Sequence, residues 1–179
     1  MKKIFSLLAV TLLALTALTG CAPKTYKVGY GTVIAVTGAA ATTEKAGNYA
    51  VNTTLATVVL DKDGKIVNVT IDVAQSSGLK FDTTGALATD LTTYAMKTKQ
   101  EKGDEYGMKG NSAIGKEWNE QANAFAAWAV GKTVADVEAL VLDEEGKATD
   151  ADVLAGTTVH VSEFVEALVK AAANVTAVE

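Results

Sequence analysis

The hydrophobic pattern of this chain changes period once, near Thr98, and that change limits the folds it can form. Over residues 26–89, apolar residues tend to alternate with polar or small ones, as in strands with one buried face. After Thr98 they recur every three or four residues, as in amphipathic helices. Strands followed by helices predict an α+β domain: an antiparallel β-sheet with helices packed on one face, the helices being concentrated in the C-terminal half.

The first predicted strand, residues 26–36, carries two glycines on one face. Gly29 and Gly31 alternate with larger residues such as Tyr30 and Ile34. A glycine inside a strand often marks a place where another part of the molecule approaches the backbone closely. We therefore expect the glycine face to be covered and the chain to return through a loop over residues 38–47.

Two hairpins are predicted after this strand. In the clearer one, strands 51–60 and 65–74 flank the turn 61–64, with Gly64 at the position of positive φ. A weaker hairpin covers residues 79–89. Neither acidic turn has enough oxygen ligands for calcium. Residues 143–147 are similar to the first turn but precede a helix start, which indicates similar turns and not a repeat.

Several short helices and two longer ones are predicted in the second half. A capping box begins a helix at Thr98 that ends at Gly103, and Thr133 and Thr149 are predicted caps of two short helices. The first long helix has an apolar stripe formed by Trp118, Ala122, Phe125, Trp128 and Ala129. The second, over residues 162–175, has a stripe of Phe164, Leu168, Ala171 and Val175, with Glu166 and Lys170 spaced for an ion pair.

Composition excludes several classes of function. The formal net charge is −5, which disfavours nucleic acid, and every basic residue is lysine, so the bidentate fork of arginine is absent. One histidine and one cysteine are too few for a zinc, copper or haem site, and they disfavour Ser-His-acid or Cys-His catalysis. We predict no metal, and we expect His160, in an alternating stretch, to be a strand residue without a catalytic role.

The N-terminus has the pattern of a lipoprotein export signal. Lys2 and Lys3 precede an apolar run that ends in Leu18-Thr19-Gly20-Cys21, the spacing that a lipoprotein signal peptidase cuts. The sequence therefore predicts a signal peptide over 1–20, a lipidated tether over 21–26 and a single domain over 27–179. Acyl chains on Cys21, palmitate among them, would anchor the protein outside the cytoplasm, on the outer face of the cell membrane in a Gram-positive cell and on either membrane in a cell with two.

Glycines, lysines and aromatic residues crowd into residues 97–118, between the predicted sheet and the first long helix. Backbone N–H groups at the start of that helix could bind a phosphate or carboxylate. The candidate site residues are Tyr106 and Trp118, which could stack on a flat ring, and Lys109, Ser112, Gly115 and Lys116, which could hold the anion. The alternative is that the glycines form turns and the aromatic residues pack the helix onto the sheet.

The hairpin over residues 57–69 resembles the opening of the FMN-binding domain of extracytoplasmic flavoprotein subunits in the Rnf and sodium-pumping quinone reductase complexes. It also resembles the opening of the same domain in pheromone-type lipoproteins. Residues 106–109 and 114–118 are similar to bacterial lipoproteins described as FMN-binding-like. The resemblance covers residues 53–130. It implies an FMN cofactor, electron transfer at the cell envelope and redox partners there.

Family members with covalent FMN carry it on a Thr in the pattern Asp-x-x-Ser/Thr-Gly-Ala-Thr. The nearest stretch here begins Asp82-Thr83-Thr84-Gly85-Ala86 but ends in Leu87, where the Thr is required. The resemblance therefore implies noncovalent FMN. The chain is thus predicted to be an anchored FMN-binding electron carrier, with a noncatalytic lipoprotein that binds a small solute or an envelope partner as the alternative.

Overall fold

The computed structural model describes residues 25–76, 78–94 and 96–178. The predicted signal peptide and Cys21 lie outside these ranges. The described part is an α+β domain, as predicted, with a five-stranded antiparallel sheet and helices that fall mostly between residues 99 and 173. Among the described helices, none combines the length and the apolar character needed to cross a bilayer.

The sheet is built from strands that follow one another in sequence, except the last. These are β1 (Tyr26–Ala39), β2 (Gly47–Leu60), β3 (Ile66–Gln75), β4 (Leu79–Phe81) and β5 (Thr176–Val178). The order is β3-β2-β1-β5, and β4 pairs with the start of β2. The first strand is three residues longer than predicted, which leaves residues 40–46 as the loop.

The glycine face of β1 is covered, as the sequence predicts. A Cβ atom added to Gly29 would lie 2.2 Å from the carbonyl oxygen of Ala171, and one added to Gly31 would lie 2.3 Å from that of Ala167. Both carbonyls belong to the C-terminal helix. Because no side chain larger than hydrogen fits there, the glycines let the helix backbone lie directly on the strand.

Both predicted hairpins form, and their turns share one geometry. In the first turn the Asp61 N–H donates to Lys65 O, and the Gly64 N–H, at φ 77°, donates to Asp61 O. The same pair of bonds forms at residues 82–86 and at 143–147. After the third turn the chain enters a helix, which confirms similar turns and not a repeat. The return arm of the second hairpin is a single bridge from Phe81 to Leu87.

In the described residues, five α-helices lie between β4 and β5. They are α1 (Lys99–Lys102), α2 (Trp118–Ala129), α3 (Val134–Glu138), α4 (Ala151–Leu154) and α5 (Ser162–Ala173). The capping boxes at Thr98 and Thr133 are present. In α5 the predicted pair forms, with 2.7 Å between Lys170 Nζ and Glu166 Oε1.

The core lies between the inner face of the sheet and the two long helices. Phe125 and Leu168 are fully buried, and Trp118 and Phe164 are nearly so. Trp128, on the same predicted stripe, is half-buried, and its ring lies 5.5 Å from that of Phe125. The predicted apolar stripe of α2 therefore faces the sheet.

Two local predictions are wrong. The cap of α4 is Asp150, whose carboxylate accepts from the Asp152 N–H, while Thr149 donates instead to the carbonyl of Val141. His160 is not in a strand. Its segment leads into α5 and is bound to α2, because the side chain of Thr157 and the N–H of Thr158 both donate to Gln121.

Candidate functional site

A cleft of about 480 Å³ opens where the sheet, α1, α2 and the start of α5 meet. Ligand pockets usually enclose about 300–1,000 Å³, so the cleft is large enough for a small molecule. Its apolar lining comes from Val73, Tyr106, Met108, Trp118, Val159 and Phe164. Its polar lining comes from Asn52, Thr54, Lys99, Thr158, His160, Ser162 and Glu163.

Lys99 brings a positive charge to this cleft. Its ammonium nitrogen lies 5.1 Å from the centroid of the Tyr106 ring and 5.1 Å from that of Trp118, the range of cation–π contacts. The ammonium of Lys102 lies 5.8 Å from the Tyr106 ring. Neither lysine forms an ion pair with a carboxylate in the described part of the chain.

The helix α1, which carries Lys99, is positioned by hydrogen bonds to the sheet. The side chain of Gln100 donates to the carbonyl of Ile71 at 2.9 Å, and its backbone N–H donates to Asp72 Oδ1 at 3.1 Å. The Thr98 capping box begins the helix and Gly103 ends it after one turn. This local pattern holds Lys99 beside the aromatic rings.

The cleft lining also carries hydrogen-bond acceptors. Asn52 Oδ1 is buried, yet no described residue donates a hydrogen bond to it. Nearby, the hydroxyl of Thr54, itself fully buried, donates to Glu163 Oε2 at 2.5 Å. A buried acceptor without a donor costs free energy, and most such atoms in proteins have a partner. The Asn52 oxygen is therefore a position where a ligand with an N–H or O–H group would gain a hydrogen bond.

The start of α2, which the sequence singles out as an anion site, holds a carboxylate of the protein itself. Glu117 is 2% exposed, and its carboxylate accepts from the backbone N–H groups of Met108 and Lys109, each at 2.9 Å. Its backbone N–H donates to Glu120 in a capping box. These donors are occupied, so a phosphate there would have to displace Glu117.

The electrostatics at this position favour the charged form of Glu117. Burial alone would raise the pKa of its carboxyl group. The N–H groups of Lys109, Met108 and Trp118, together with the positive charge of Lys109, outweigh burial and lower the pKa below its ordinary value. The carboxylate thus provides the negative charge that a helix N-terminus attracts.

Ser112 also has a partner inside the protein. Its hydroxyl accepts from the side chain of Gln121 at 3.0 Å, and the backbone N–H groups of Ile114 and Lys116 point to it at 3.4 and 3.3 Å. Gln121 is fully buried, and it also holds the segment at Thr158. These hydrogen bonds connect the glycine-rich segment to α2 and to the residues that precede α5.

The structure brings together only part of the predicted set. Tyr106 and Trp118 line the main cleft, and Ser112 lines a neighbouring cleft of about 530 Å³ that shares Met108 and Thr158 with it. Lys109, Gly115 and Lys116 line neither cleft. The sequence analysis missed Asn52, Glu163 and Lys99, because nothing in the local pattern shows that these distant positions meet.

Comparison with known proteins finds a similarity to a curated protein. No family model and no solved structure matches the chain. The chain is 33% identical over 146 residues to the chlorophenol reductase of Desulfitobacterium hafniense. The match covers 70% of this chain but 43% of the relative, so the chain spans less than half the length of that curated protein.

Proposed function

We propose that the protein is a lipid-anchored extracytoplasmic redox protein that binds FMN noncovalently in the main cleft. The similarity to a protein named as a reductase supports the redox class. The cleft supports a ligand site, and the observation that carries the proposal is the buried Asn52 Oδ1 that no described residue satisfies. When bound, FMN would supply the electron-transfer chemistry, and the protein would bind and orient it.

The lining of the cleft fits both ends of such a ligand. The pyrimidine edge of a flavin carries an N–H between two carbonyl oxygens, and an Asn amide offers an acceptor and two donors to such an edge. Lys99 lines the cleft and Lys102 lies beside the Tyr106 ring; neither has a described carboxylate partner, and both would supply positive charge for the phosphate. Tyr106 and Met108 supply apolar surface beside them. The proposed phosphate contact therefore lies at α1 and not at the start of α2, which the sequence analysis had indicated.

Titration of apoprotein with FMN, followed by flavin fluorescence, tests the proposal. We expect saturable binding that acid or denaturant reverses, since the attachment Thr is absent. Asn52→Ala and Lys99→Ala should each weaken binding by about tenfold, the effect of losing a hydrogen bond or charge contact to a ligand. Each has a matched control in Asn48→Ala, an exposed residue of the same strand, and Lys116→Ala, which lines neither cleft.

The outcome of the titration also separates two alternatives. If Lys116→Ala weakens FMN binding more than Lys99→Ala, the ligand lies at the start of α2, where the sequence analysis placed it. If the native protein is colourless and FMN causes no saturable change, the redox proposal fails. A noncatalytic solute-binding lipoprotein would then remain. The contacts of Lys99 with both aromatic rings favour this alternative, because the ammonium group lies over ring surface on which a flavin would stack.

Anchoring is tested separately from the cofactor. Cys21 is the only cysteine of the chain, so Cys21→Ser removes the only thiol that could be lipidated. We expect metabolic labelling with a fatty acid to mark the parent protein and not the variant. Label that persists in the variant would disprove anchoring through this residue.

A further inference from the structure

The face of the sheet opposite the helices is apolar and exposed. Side chains alternate across a strand, so residues that flank Gly29 and Gly31 of β1 point away from α5. We call this surface the outer face. By strand register it includes Val28, Tyr30, Ile34 and Val36 of β1 and Tyr49, Val51 and Leu55 of β2. Each of these seven side chains is classed as exposed, and Tyr30, Ile34 and Val36 are 66–67% exposed.

The outer face is also free of charge along its two longest strands. Every position of β1 and β2 that shares this face is apolar, a glycine, a threonine or a tyrosine. On the neighbouring strand β3 the same face carries Asp72, which pairs in register with Leu55, so the uncharged surface is confined to β1 and β2. An apolar patch of this extent on a protein surface indicates an interaction site. Tyr30 and Tyr49 on this face have the apolar body and polar tip that suit a membrane–water interface.

The position of the predicted anchor indicates what covers this face. Cys21 precedes the start of β1 at Tyr26 by five residues, and a chain of that length spans at most about 17 Å. A lipid on Cys21 would therefore hold the sheet close to the bilayer at all times, whereas a second copy would have to be met by diffusion. We infer that the outer face lies against the lipid surface to which Cys21 is anchored. This inference rests on the lipid anchor of the proposed function.

A single fluorophore on the lipidated full-length protein tests this arrangement. Lipidation consumes the sulfur of Cys21, so Ile34→Cys introduces the only free thiol. Val141→Cys is the matched control, because Val141 is 67% exposed, like Ile34, but belongs to the helical half of the chain. Each protein is labelled with an environment-sensitive probe and reconstituted into phosphatidylcholine vesicles with or without a spin-labelled lipid. Thermal unfolding checks that both variants fold.

We expect the probe at position 34 to shift to shorter wavelength and to lose fluorescence with the spin-labelled lipid, while the probe at position 141 does neither. If the protein floats with the vesicles but the two probes behave alike, the outer face does not contact lipid, and only this inference fails. If the protein does not float, the anchor is absent, and this inference fails together with the anchoring part of the proposed function, while FMN binding is judged by its own titration. If unlipidated Cys21→Ser protein shields the probe at 34 without vesicles and has twice the monomer mass, the face is covered by a second copy instead.

Discussion

Glu117 keeps a negative charge almost completely out of water at the start of α2. Three backbone N–H groups and Lys109 stabilise the charged form, which is why the pKa of Glu117 lies below its ordinary value. A carboxyl group with a lowered pKa in the folded state adds stability at pH values above its unfolded pKa, and that stability is lost as the pH falls through the folded pKa. Protonation of Glu117 at acid pH should therefore lower the stability of the folded protein.

Glu117→Gln should make the stability of the protein less dependent on pH in the acid range. The amide cannot accept hydrogen bonds at both ends, so the variant should be less stable than the parent at pH 7. As the pH falls from about 5 to 3, the parent should lose more stability than the variant, and the two should converge. Urea unfolding across this range measures the effect, with the exposed Glu144→Gln as control. Parallel curves for the parent and Glu117→Gln would show that this carboxylate does not contribute.

Gln121 is the residue that joins the cleft segments to one another. Its amide donates to Ser112 Oγ and Lys116 O and accepts from Thr158. Gln121→Met keeps the volume but leaves these partners unpaired, and each buried polar group left unpaired costs about 1–3 kcal/mol. We expect the urea midpoint to fall clearly, and not to fall for Gln75→Met. If both variants unfold at the parent's midpoint, water replaces the amide at no cost.

The packing of α5 onto β1 is the element-scale feature that depends most on single residues. A Cβ on Gly31 would lie 2.3 Å from Ala167 O and 2.4 Å from Ala171 N, and both atoms are backbone. Gly31→Ala must therefore push the helix away, and overpacking of this kind costs about 1–3 kcal/mol or more. Gly110→Ala is the control, because nothing lies within 4 Å of its Cβ position. Equal stabilities in urea unfolding would mean that α5 sits farther from the strand.

Elements whose signal is local could be predicted from sequence. Alternation gave the first strands, Asp and Gly gave the turns, and Thr98 gave the start of α1, because each depends on neighbouring residues. Features that depend on distant partners could not. The segment at His160 alternates like a strand, but its hydrogen-bonding groups are taken by Gln121, 37 residues away from Thr158.

The same distinction, between residues with a local signal and residues that depend on distant partners, applies to the candidate site. Tyr106 and Trp118 could be predicted because aromatic residues stand out in a glycine-rich segment, and the structure places both at the cleft. Local sequence cannot show that the Glu117 carboxylate accepts from the N–H groups of Met108 and Lys109, so the predicted anion site at the start of α2 did not include this carboxylate. Asn52 and Lys99 are 47 positions apart, and only the folded sheet brings them to one cavity.

At the scale of the whole molecule, the core and the cleft share side chains. Trp118 and Phe164 pack edge to face at 5.7 Å, and both also line the cleft. Phe125 lies behind them, fully buried, with its ring 5.6 Å from Phe164. With one cysteine in the chain, no intramolecular disulfide can support this cluster. The stability of the fold and the proposed ligand site therefore depend on the same aromatic packing.

Phe125→Ala tests this dependence. Removal of a buried phenylalanine ring costs about 3–5 kcal/mol, a large part of the total stability of a domain of this size, so the melting temperature should fall by many degrees. Because the lost ring supports Phe164, the cleft should loosen as well, and any FMN binding should weaken at temperatures where the variant is still folded. Leu91→Ala, at a side chain that is 58% exposed, should change neither quantity. A melting temperature for Phe125→Ala within a degree or so of the parent would mean that this face of α2 does not pack on the sheet.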